Sequence, residues 1–358
     1  PVTPNSRGKM TLLRSISMRL LSTAITLFGV AVIVSVVIRV VPGNPIAMML
    51  PPGATETDIA RLQAQYGFDK SIFEQFVIWL GGVLQGDFGT SISLRQPVSS
   101  LVLNRLPATL ELSIMALLIA VAIGGTLAGA VLTTQVAGPL ALMGTLRRDS
   151  RAEGAIDISA GVALSIPDFL WGLVLILLFG VLWPVFHISG RISPALDIDF
   201  TTNFYLFEAL LRLRFDVLGD LIGHMFMPAL ALAIPLSAII AQLLKQSLKE
   251  TMHLDYVTLS RTHGYAETHV ITRDALPNAI LPTLTLVGVQ FTFLIGGTVI
   301  IERLFSYEGL GNMAIDAVIN RDLPLIQGIV ILFALIFTLV NLAVDMLYVV
   351  LNPRLRHA

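Results

Sequence analysis

Six long apolar runs constrain this chain more than any other feature of its sequence. They lie at about 18–40, 108–135, 157–182, 219–243, 279–301 and 325–350. One helix needs about 20 consecutive apolar residues to cross the hydrocarbon core of a bilayer, and each run meets that length. Only 13% of the residues are charged, against about 25% in ordinary globular chains. We therefore predict an all-α polytopic membrane protein with six transmembrane helices.

Lysine and arginine residues near the ends of these runs predict the orientation of the chain. Basic residues concentrate in the cytoplasmic flanks of membrane spans. Four of them, with no acidic residue, come at or before the start of the first run: Arg7, Lys9, Arg14 and Arg19. Alternation then puts the other basic clusters on the same side: Arg147, Arg148 and Arg151, Lys245 and Lys249, and Arg354 and Arg356. Both termini are thus expected in the cytoplasm.

This topology divides the chain into a cytoplasmic tail over 1–17, a first span over 18–40, an external loop over 41–107, a five-helix core over 108–350 and a cytoplasmic tail over 351–358. The opening PVTPNSRGK lacks the apolar stretch and cleavage site of a signal peptide. In the external loop, Ile59, Leu62 and Tyr66 share one helical face and predict a short amphipathic helix. The following SIFEQFVIWLGGVLQGDFG runs for only about ten residues before Gly81, which favours a helix at the lipid interface over a seventh span.

A polar stretch, DYVTLSRTHGYAETHVITRDALPNAILP, separates the fourth and fifth runs. Helix-forming residues continue from about Leu243 to Gly264, where glycine can adopt the left-handed conformation that ends helices. A second short helix is expected from about Ala266, and Pro277 and Pro282 bracket the entry into the fifth span. The residues alone leave open whether this cytoplasmic helix pair docks on a partner or is a solvated connector.

Residues of this loop, at about 244–278, match the pattern of a known family. The matching residues are Asp255, Tyr256, Val257, Arg261, Gly264, Glu267, Val270, Asn278, Ala279 and Pro282. The loop resembles that of permease subunits of binding-protein-dependent ABC importers and is most similar to the dipeptide, oligopeptide and nickel branch. In that family the loop carries a coupling helix that sits in a groove of the ATPase subunit. The resemblance assigns the coupling role to Leu254, Asp255, Tyr256, Val257, Arg261, Gly264 and Glu267.

Further blocks follow in the order of the same family. They are PGNP at 42–45, YGFDKSIFEQFVIWLGGVLQGDFGTS, RLPATLELS, HISGRISP at 187–194, HMFMPALALAIP at 224–235, FSYEGLGNMAIDAVINRDLPLIQG and DMLYVVLNPRLR. Together with the loop, the blocks are spread over most of the range 18–356. The resemblance therefore implies the type I ABC importer permease fold.

The resemblance also implies the partners and the setting of the chain. A second homologous permease would complete a heterodimer, two ABC ATPase subunits would bind ATP and Mg, and an external solute-binding protein would deliver the substrate. The spans would contact membrane lipid in the bacterial inner membrane. This chain would hold no cofactor and catalyse no reaction. Di- or oligopeptides are the expected substrates, with nickel complexes, opines and oligosaccharides as alternatives.

The loop departs from the family pattern at several positions. Ser260 and Thr262 stand where small alanines are expected, and His263 and Pro277 stand where basic residues are common. Ala266 replaces a serine that would cap the second helix, and the loss of such a cap costs about 0.5–2 kcal/mol. The second helix is therefore expected to be less firmly held than in the family.

Several patterns that suggest other chemistry are set aside. With no cysteine and no G-x-x-x-x-G-K-[ST], the sequence offers neither thiol chemistry nor a P-loop. GLGNMA at 309–314 follows a predicted span rather than a strand, so a turn opening a short helix is expected there. His253, His263 and His269 lack acidic or cysteine partners at ligand spacing, and no metal site is predicted. A formal net charge of −1 provides no basic footprint for nucleic acid.

Polar residues within the apolar runs are candidates for function, because burying them in lipid is costly. Glu111, Glu302 and Asp345 lie near the ends of their runs, where a structural role is favoured. Either interhelical hydrogen bonding or the lining of a substrate pathway suits three further residues: Gln290, Gln327 and Asn341. A passive channel or secondary transporter remains the alternative function. No nucleophile or pair of carboxylates at one depth suggests an intramembrane enzyme.

Overall fold

The computed structural model of the chain describes residues 21–36, 69–140 and 151–351, together with Met18, Thr55 and Thr57. Regular structure in these residues is helical, which confirms the all-α prediction. The helices are α1 Leu21–Val36, α2 Ile72–Leu84, α3 Val98–Leu140, α4 Arg151–Ser165, α5 Asp168–Leu182, α6 Tyr205–Leu211, α7 Phe215–Met252, α8 Asp255–Thr262, α9 Glu267–Leu304, α10 Leu310–Ile319 and α11 Leu323–Leu351.

Four of the described helices are long and apolar enough to cross a membrane. They are α3 over Val98–Gly129, α7, α9 and α11 over Leu323–Val344, and they correspond to the second, fourth, fifth and sixth apolar runs. Helix α1 covers the described part of the first run. Helix α2 is apolar but too short to span, as predicted from its sequence. The amphipathic helix expected around Ile59 lies outside the described residues, and the count of six spans stays a prediction.

The third apolar run differs from the single helix expected over 157–182. Helices α4 and α5 meet there at an angle of 98°. Pro167 occupies the N-cap of α5, and a proline has no N–H to continue the preceding helix and restricts the residue before it. The second half of α5, Ile176–Leu182, widens into a π-helix. The run is therefore a broken apolar element whose two parts point in different directions.

The chain divides into two compact units, the first of which comprises the residues up to Thr109 and Glu308–Leu342. Its apolar core joins the start of α3 to α10 and α11 through Val98, Val102, Leu310, Met313, Ala317, Leu325 and Ile329. Helix α10 starts at the expected glycine turn, with Gly309 as its N-cap. Helix α3 starts at Val98, well before the predicted position 108, because the start of the helix packs into this core.

A fully buried carboxylate, Asp322, fixes the loop between α2 and α3 in the first unit. Its Oδ2 accepts hydrogen bonds from Ser91 Oγ at 2.5 Å and from Ser93 N and Oγ at 2.9 and 2.7 Å. Its Oδ1 accepts from Leu325 N at 3.2 Å in the first turn of α11. One side chain therefore ties a loop to the start of a helix more than 200 residues away, since Ser91 and Asp322 are 231 positions apart.

The second unit comprises Leu110–Tyr307 and the chain from Ala343 onward. Helix α7 lies at its centre, since 67% of its most apolar stretch is buried, against 22–33% in the other three long apolar helices. Helix α3 approaches α7 closely at Gly124. A Cβ atom at this position would lie 2.7 Å from the backbone oxygen of Ser237 and 2.9 Å from Ile240. Glycine is therefore required at this crossing by contact and not by backbone conformation.

Replacing Gly124 by alanine is expected to destabilise the second unit. The new methyl group would overlap the α7 backbone, and overpacking of this kind costs about 1–3 kcal/mol. The matched control is Gly125→Ala, because a Cβ atom at Gly125 meets nothing within 4 Å and alanine is the better helix former by about 0.5–1 kcal/mol. Thermal unfolding of the purified chain in detergent checks this: a Tm of Gly124→Ala equal to that of Gly125→Ala would contradict the close crossing.

Candidate functional site

The segment from His253 to Asn278, called here the 253–278 segment, begins where the chain leaves α7. Helix α8 carries Asp255 in its first turn and Arg261 in its last turn, which are the favourable ends for these charges in the helix dipole. The helix ends at Thr262 with His263 as its C-cap, and the next residue, Gly264, has a φ of +78°. A residue with a Cβ atom rarely adopts this conformation, so the predicted glycine turn is confirmed.

The buried side of α8 connects two long helices. Val257 is fully buried in a cluster with Leu244 and Leu248 of α7 and with Val270 and Ile271 of α9. An eight-residue helix alone is marginal in water. Contact with this cluster holds α8 in place, and a force applied to α8 therefore reaches both α7 and α9.

Two polar contacts close the segment around its turn. Arg261 Nε donates to Glu267 Oε1 and Oε2 at 3.1 and 3.2 Å, and its Nη2 donates to Oε1 at 2.5 Å. Asn278 Nδ2 donates to the Tyr256 hydroxyl at 2.8 Å. The Arg261 and Glu267 side chains are 38% and 30% exposed, and partly exposed ion pairs contribute only about 0–1 kcal/mol. These contacts set the geometry of the turn more than its stability.

Large apolar side chains are exposed on α8 and at its two ends. Leu254, Tyr256, Leu259 and Tyr265 are 47%, 41%, 56% and 54% exposed. Tyr256 and Leu259 are three residues apart and share one face of α8. Tyr265 stacks on the His269 ring with centroids 4.8 Å apart. Four exposed apolar or aromatic residues in a twelve-residue stretch form a surface suited to a protein partner.

The second half of the segment differs from the separate short helix expected after Ala266. Ala266 makes no side-chain cap, as its residue type implied. One α-turn, Glu267–His269, passes directly into a π-helix over Val270–Ala275 and then into the rest of α9. Pro277 lies in the first turn after the π-helix and cannot donate a backbone hydrogen bond. The wider turns before it let the helix continue instead of ending.

The structure places the residues assigned to coupling together in this segment. Val257 is buried, Arg261 and Glu267 form an ion pair, and Leu254, Asp255, Tyr256 and Gly264 are exposed. The three pathway candidates lie in different units: Gln290 is half-buried in the second, while Gln327 and Asn341 are buried and half-buried in the first. Their proposed roles stay predictions. The side chain of Asp345 lies outside the part of the chain that the structure describes.

A buried ion pair in the second unit was not predicted from the sequence. Arg191 Nη2 donates to Glu111 Oε2 at 2.7 Å and to the Asn203 carbonyl at 2.7 Å. Its guanidinium carbon lies 4.0 Å from the centre of the Tyr205 ring. Glu111 Oε1 accepts from the backbone N–H of Leu206 at 2.8 Å. Glu111 therefore anchors the start of α6, which agrees with the structural role favoured for it.

A second carboxylate, Glu208, fixes the approach to α6. Its two oxygens accept the backbone N–H and hydroxyl groups of Thr201 and Thr202 at 2.6–3.1 Å. The hydrogen bond from the Thr202 hydroxyl is the largest cause that holds the pKa of Glu208 at about 2, and burial opposes this shift. The side chain also pairs with Arg212. These hydrogen bonds hold Thr201 and Thr202 against α6, whereas the sequence alone indicates only a polar loop at these positions.

The structure also brings His187, Asp220 and His224 together, and all three side chains are of types that can bind a metal ion. Neither histidine is one of the three, His253, His263 and His269, that were considered as metal ligands from the sequence. His187 and His224 are 37 positions apart, and no local pattern relates them. The signal available in the sequence was limited to their presence in two of the family-like blocks, HISGRISP and HMFMPALALAIP.

Comparison with known proteins gives two family matches that together include most of the chain. Residues 137–357 match the binding-protein-dependent transport system inner membrane component. Residues 12–113 match the N-terminal part of the binding-protein-dependent transport system membrane component. The first match alone includes more than half of the 358 residues.

Individual relatives resemble the chain along nearly all of its length. The di/tripeptide transport system permease protein of Pseudomonas aeruginosa is 35% identical over 334 residues, 93% of this chain and 95% of the relative. The dipeptide transport system permease protein of Escherichia coli K12 is 34% identical over 337 residues, with the same coverage. The glutathione transport system permease protein of Escherichia coli K12 is 31% identical over 339 residues, 95% of this chain and 97% of the relative.

Valine at position 264 is expected to open the turn after α8. A β-branched residue at φ +78° is strained, and the left-handed conformation costs L-residues about 1–2 kcal/mol. That cost shifts a local equilibrium about 5- to 30-fold, so limited proteolysis within the 253–278 segment should accelerate by that factor. Gly264→Asn is the control, because asparagine tolerates this conformation. Equal cleavage of the valine and asparagine variants would show that the turn does not depend on backbone conformation.

Part of the stability of the folded chain is expected to depend on the ionised form of Glu208 and to be lost in acid. The pKa of Glu208 in the folded chain is about 2, below its ordinary value of 4.5. Its ionised form therefore stabilises the fold above pH 4.5, and this contribution is lost as the pH falls toward 2. Glu208→Gln should unfold at a lower Tm than the unaltered chain at pH 6, with the difference shrinking between about pH 4.5 and 2. A difference that does not change with pH would contradict the hydrogen-bonded carboxylate.

Proposed function

Because the chain belongs to the family of inner membrane components of binding-protein-dependent transport systems, we propose that it is the permease subunit of an ATP-driven importer of di- or oligopeptides. It would form the translocation pathway with a second homologous permease. Two ABC ATPase subunits would bind ATP and Mg²⁺ on the cytoplasmic side, and an external solute-binding protein would deliver the peptide. Both termini would lie in the cytoplasm, as the distribution of basic residues indicates.

The observation that carries the proposal is the two-sided character of α8. One side buries Val257 between α7 and α9, another exposes Tyr256 and Leu259, and Leu254 is exposed at the N-cap. A cluster of exposed apolar residues in a polar segment indicates a partner surface, and the buried side transmits displacement of α8 to two long apolar helices. This is the arrangement that an ATPase requires if closure of its subunits is to reorient the spans.

The proposed mechanism is alternating access. When ATP closes the two ATPase subunits, the surface formed by Leu254, Tyr256, Leu259 and Tyr265 moves with them. The core around Val257 resists compression, because protein interiors are packed as densely as organic crystals. The displacement therefore passes into α7 and α9, and the pathway opens toward the binding protein.

The peptide class of substrate is supported by the names of the relatives, which refer to transport of di- and tripeptides, oligopeptides and glutathione. A passing peptide must exchange water around its amide groups for protein donors and acceptors. Gln290, Gln327 and Asn341 are the polar residues proposed to make this exchange. Nickel complexes, opines and oligosaccharides remain substrate alternatives, and the purified system should be tested with them beside a labelled dipeptide.

The alternative function, a passive channel or secondary transporter, differs in its energy source. Uptake by such a protein would continue when ATP is removed and the proton gradient is kept. Uptake by the proposed importer would stop under the same conditions, because the gradient does not drive its conformational change. The test is therefore made in proteoliposomes, where ATP and the gradient can be set independently.

Leu259→Glu is expected to separate the permease from its ATPase without unfolding it. Leu259 is 56% exposed, so the charge costs little in the isolated chain but would be buried unpaired against an ATPase. Leu211→Glu is the matched control, because Leu211 is a leucine on another short helix and is 67% exposed. We expect Leu259→Glu to lose ATPase co-purification and ATP-dependent dipeptide uptake, and Leu211→Glu to retain co-purification.

The readouts are the amount of ATPase that remains with the affinity-captured permease and the initial rate of uptake in proteoliposomes. Both variants should have the Tm of the unaltered chain, which shows that any loss comes from the surface. Full ATPase retention and full uptake by Leu259→Glu would reject α8 as the coupling element.

A further inference from the structure

We propose that His187, Asp220 and His224 form a binding site for a divalent transition-metal ion, with zinc as the best-suited ion. The three residues belong to the second unit. His187 follows α5, and Asp220 and His224 lie one turn apart near the start of α7. One potential ligand atom from each residue lies within 4.8 Å of the other two. Two imidazoles and a carboxylate are a donor set found in zinc sites.

The carboxylate is oriented by a residue that is not itself a ligand. Ser193 donates its backbone N–H to Asp220 Oδ2 at 2.8 Å and its hydroxyl to Oδ1 at 2.6 Å. Each carboxylate oxygen keeps a second lone pair. His187 Nε2 lies 4.0 Å from Oδ1 and His224 Nδ1 lies 3.4 Å from Oδ2. The longer separation exceeds hydrogen-bond length, so the His187 nitrogen faces the carboxylate without binding to it.

His224 has its ring orientation and tautomer fixed by its own helix. Nδ1 lies 2.9 Å from the backbone carbonyl of Asp220. A carbonyl can only accept a hydrogen bond, so Nδ1 is the donor and Nε2 is the nitrogen left to bind an ion. Metal-ligating histidines usually donate their other ring N–H to a carbonyl or carboxylate in this way. His224 is only 5% exposed, so its ring is held in place before any ion binds.

His187 is the ligand whose ring has to turn for an ion to bind. Its ring stacks on that of His224 with centroids 3.9 Å apart and planes 6° apart. Lone pairs in two parallel ring planes do not converge on one point, so binding requires one ring to turn. The His187 side chain is 49% exposed and rests on Gly223, where a Cβ atom would lie 3.2 Å from Nδ1. It can therefore rotate toward the carboxylate, and the ion replaces the stack as the link between the two histidines.

The donor set selects the class of ion. Imidazole ligands favour zinc, copper, iron and nickel, whereas magnesium and calcium favour oxygen ligands. Two ligands of one tetrahedral zinc ion lie about 3.4 Å apart, since each zinc bond is about 2.0–2.2 Å. The 4.0 Å between His187 Nε2 and Asp220 Oδ1 reaches this value after a small movement of His187, and His224 would bind the ion through Nε2. Three protein ligands leave a fourth position for water, and the bound ion ties the segment after α5 to the start of α7.

The test is zinc binding by the purified importer complex after removal of metals with a chelator. Isothermal titration with Zn²⁺ and the visible absorption of Co²⁺ in tetrahedral coordination are measured without ATP or peptide. We expect one ion per permease chain in this site. His187→Gln and Asp220→Asn should each weaken binding by at least about 10- to 100-fold, the loss typical even for outer-shell partners. Ser193→Ala keeps all three metal ligands and should weaken zinc binding by about 10- to 100-fold, because Ser193 orients the carboxylate of Asp220.

His269→Gln is the matched control, because His269 also stacks on an aromatic ring but is not part of the group. It should bind zinc as the unaltered complex does. Because His187 is half-exposed, its glutamine variant is expected to fold, and an unchanged Tm without zinc checks this. Zinc binding that His187→Gln and Asp220→Asn leave unchanged, or that occurs only at millimolar zinc, would overturn the site. The proposed transport function does not depend on either result.

Discussion

The structure depends on the requirement that backbone polar groups in hydrocarbon find their partners within the chain. Helices meet that requirement locally, so the apolar runs fold as helices and the remaining question is how these pack. In the second unit the answer is α7, whose buried residues include many alanines, among them Ala229, Ala233 and Ala241. Small residues let helices approach closely where lipid provides no hydrophobic drive for association. Gly124 on α3 extends the same principle to the neighbouring helix, and the position of α7 in turn sets those of α8 and α9.

The apolar runs could be located from the sequence because length and composition are local properties. The bend between α4 and α5 could not, although Pro167 was visible. Pro228 and Pro235 lie within α7, and Pro282 lies within α9, so a proline alone does not decide where a helix breaks. At Pro167 an aspartate follows at the first position of α5 and offers an acidic start to a new helix. The competition between continuing and restarting a helix is settled by packing, which the sequence does not display.

The 253–278 segment was predictable to a similar extent. Gly264 marked the end of α8 because its conformation is a property of one residue. The continuity of α9 through its π-helix was missed, because Pro277 and the uncapped Ala266 indicated an interruption. Which face of α8 is buried was also beyond the sequence, since Val257 and Leu259 are both apolar. Only the positions of α7 and α9 make the first a core residue and the second a surface residue.

Carboxylates have a common use in this chain that explains why single acidic residues were hard to interpret. Glu208, Asp220 and Asp322 each accept a backbone N–H from a connecting segment, and Glu111 accepts one from the first turn of α6. Connections cannot satisfy their own amides as helices do, and a charged acceptor binds an N–H more strongly than a neutral one. A lone acid near the end of an apolar run therefore indicates a loop to be fixed before it indicates transport or catalysis. Asp220 makes the same kind of anchoring hydrogen bond, but its carboxylate also faces the imidazole rings of His187 and His224. The contacts described for Glu111, Glu208 and Asp322 include no such pair of imidazoles. This difference distinguishes a candidate metal site from a structural anchor.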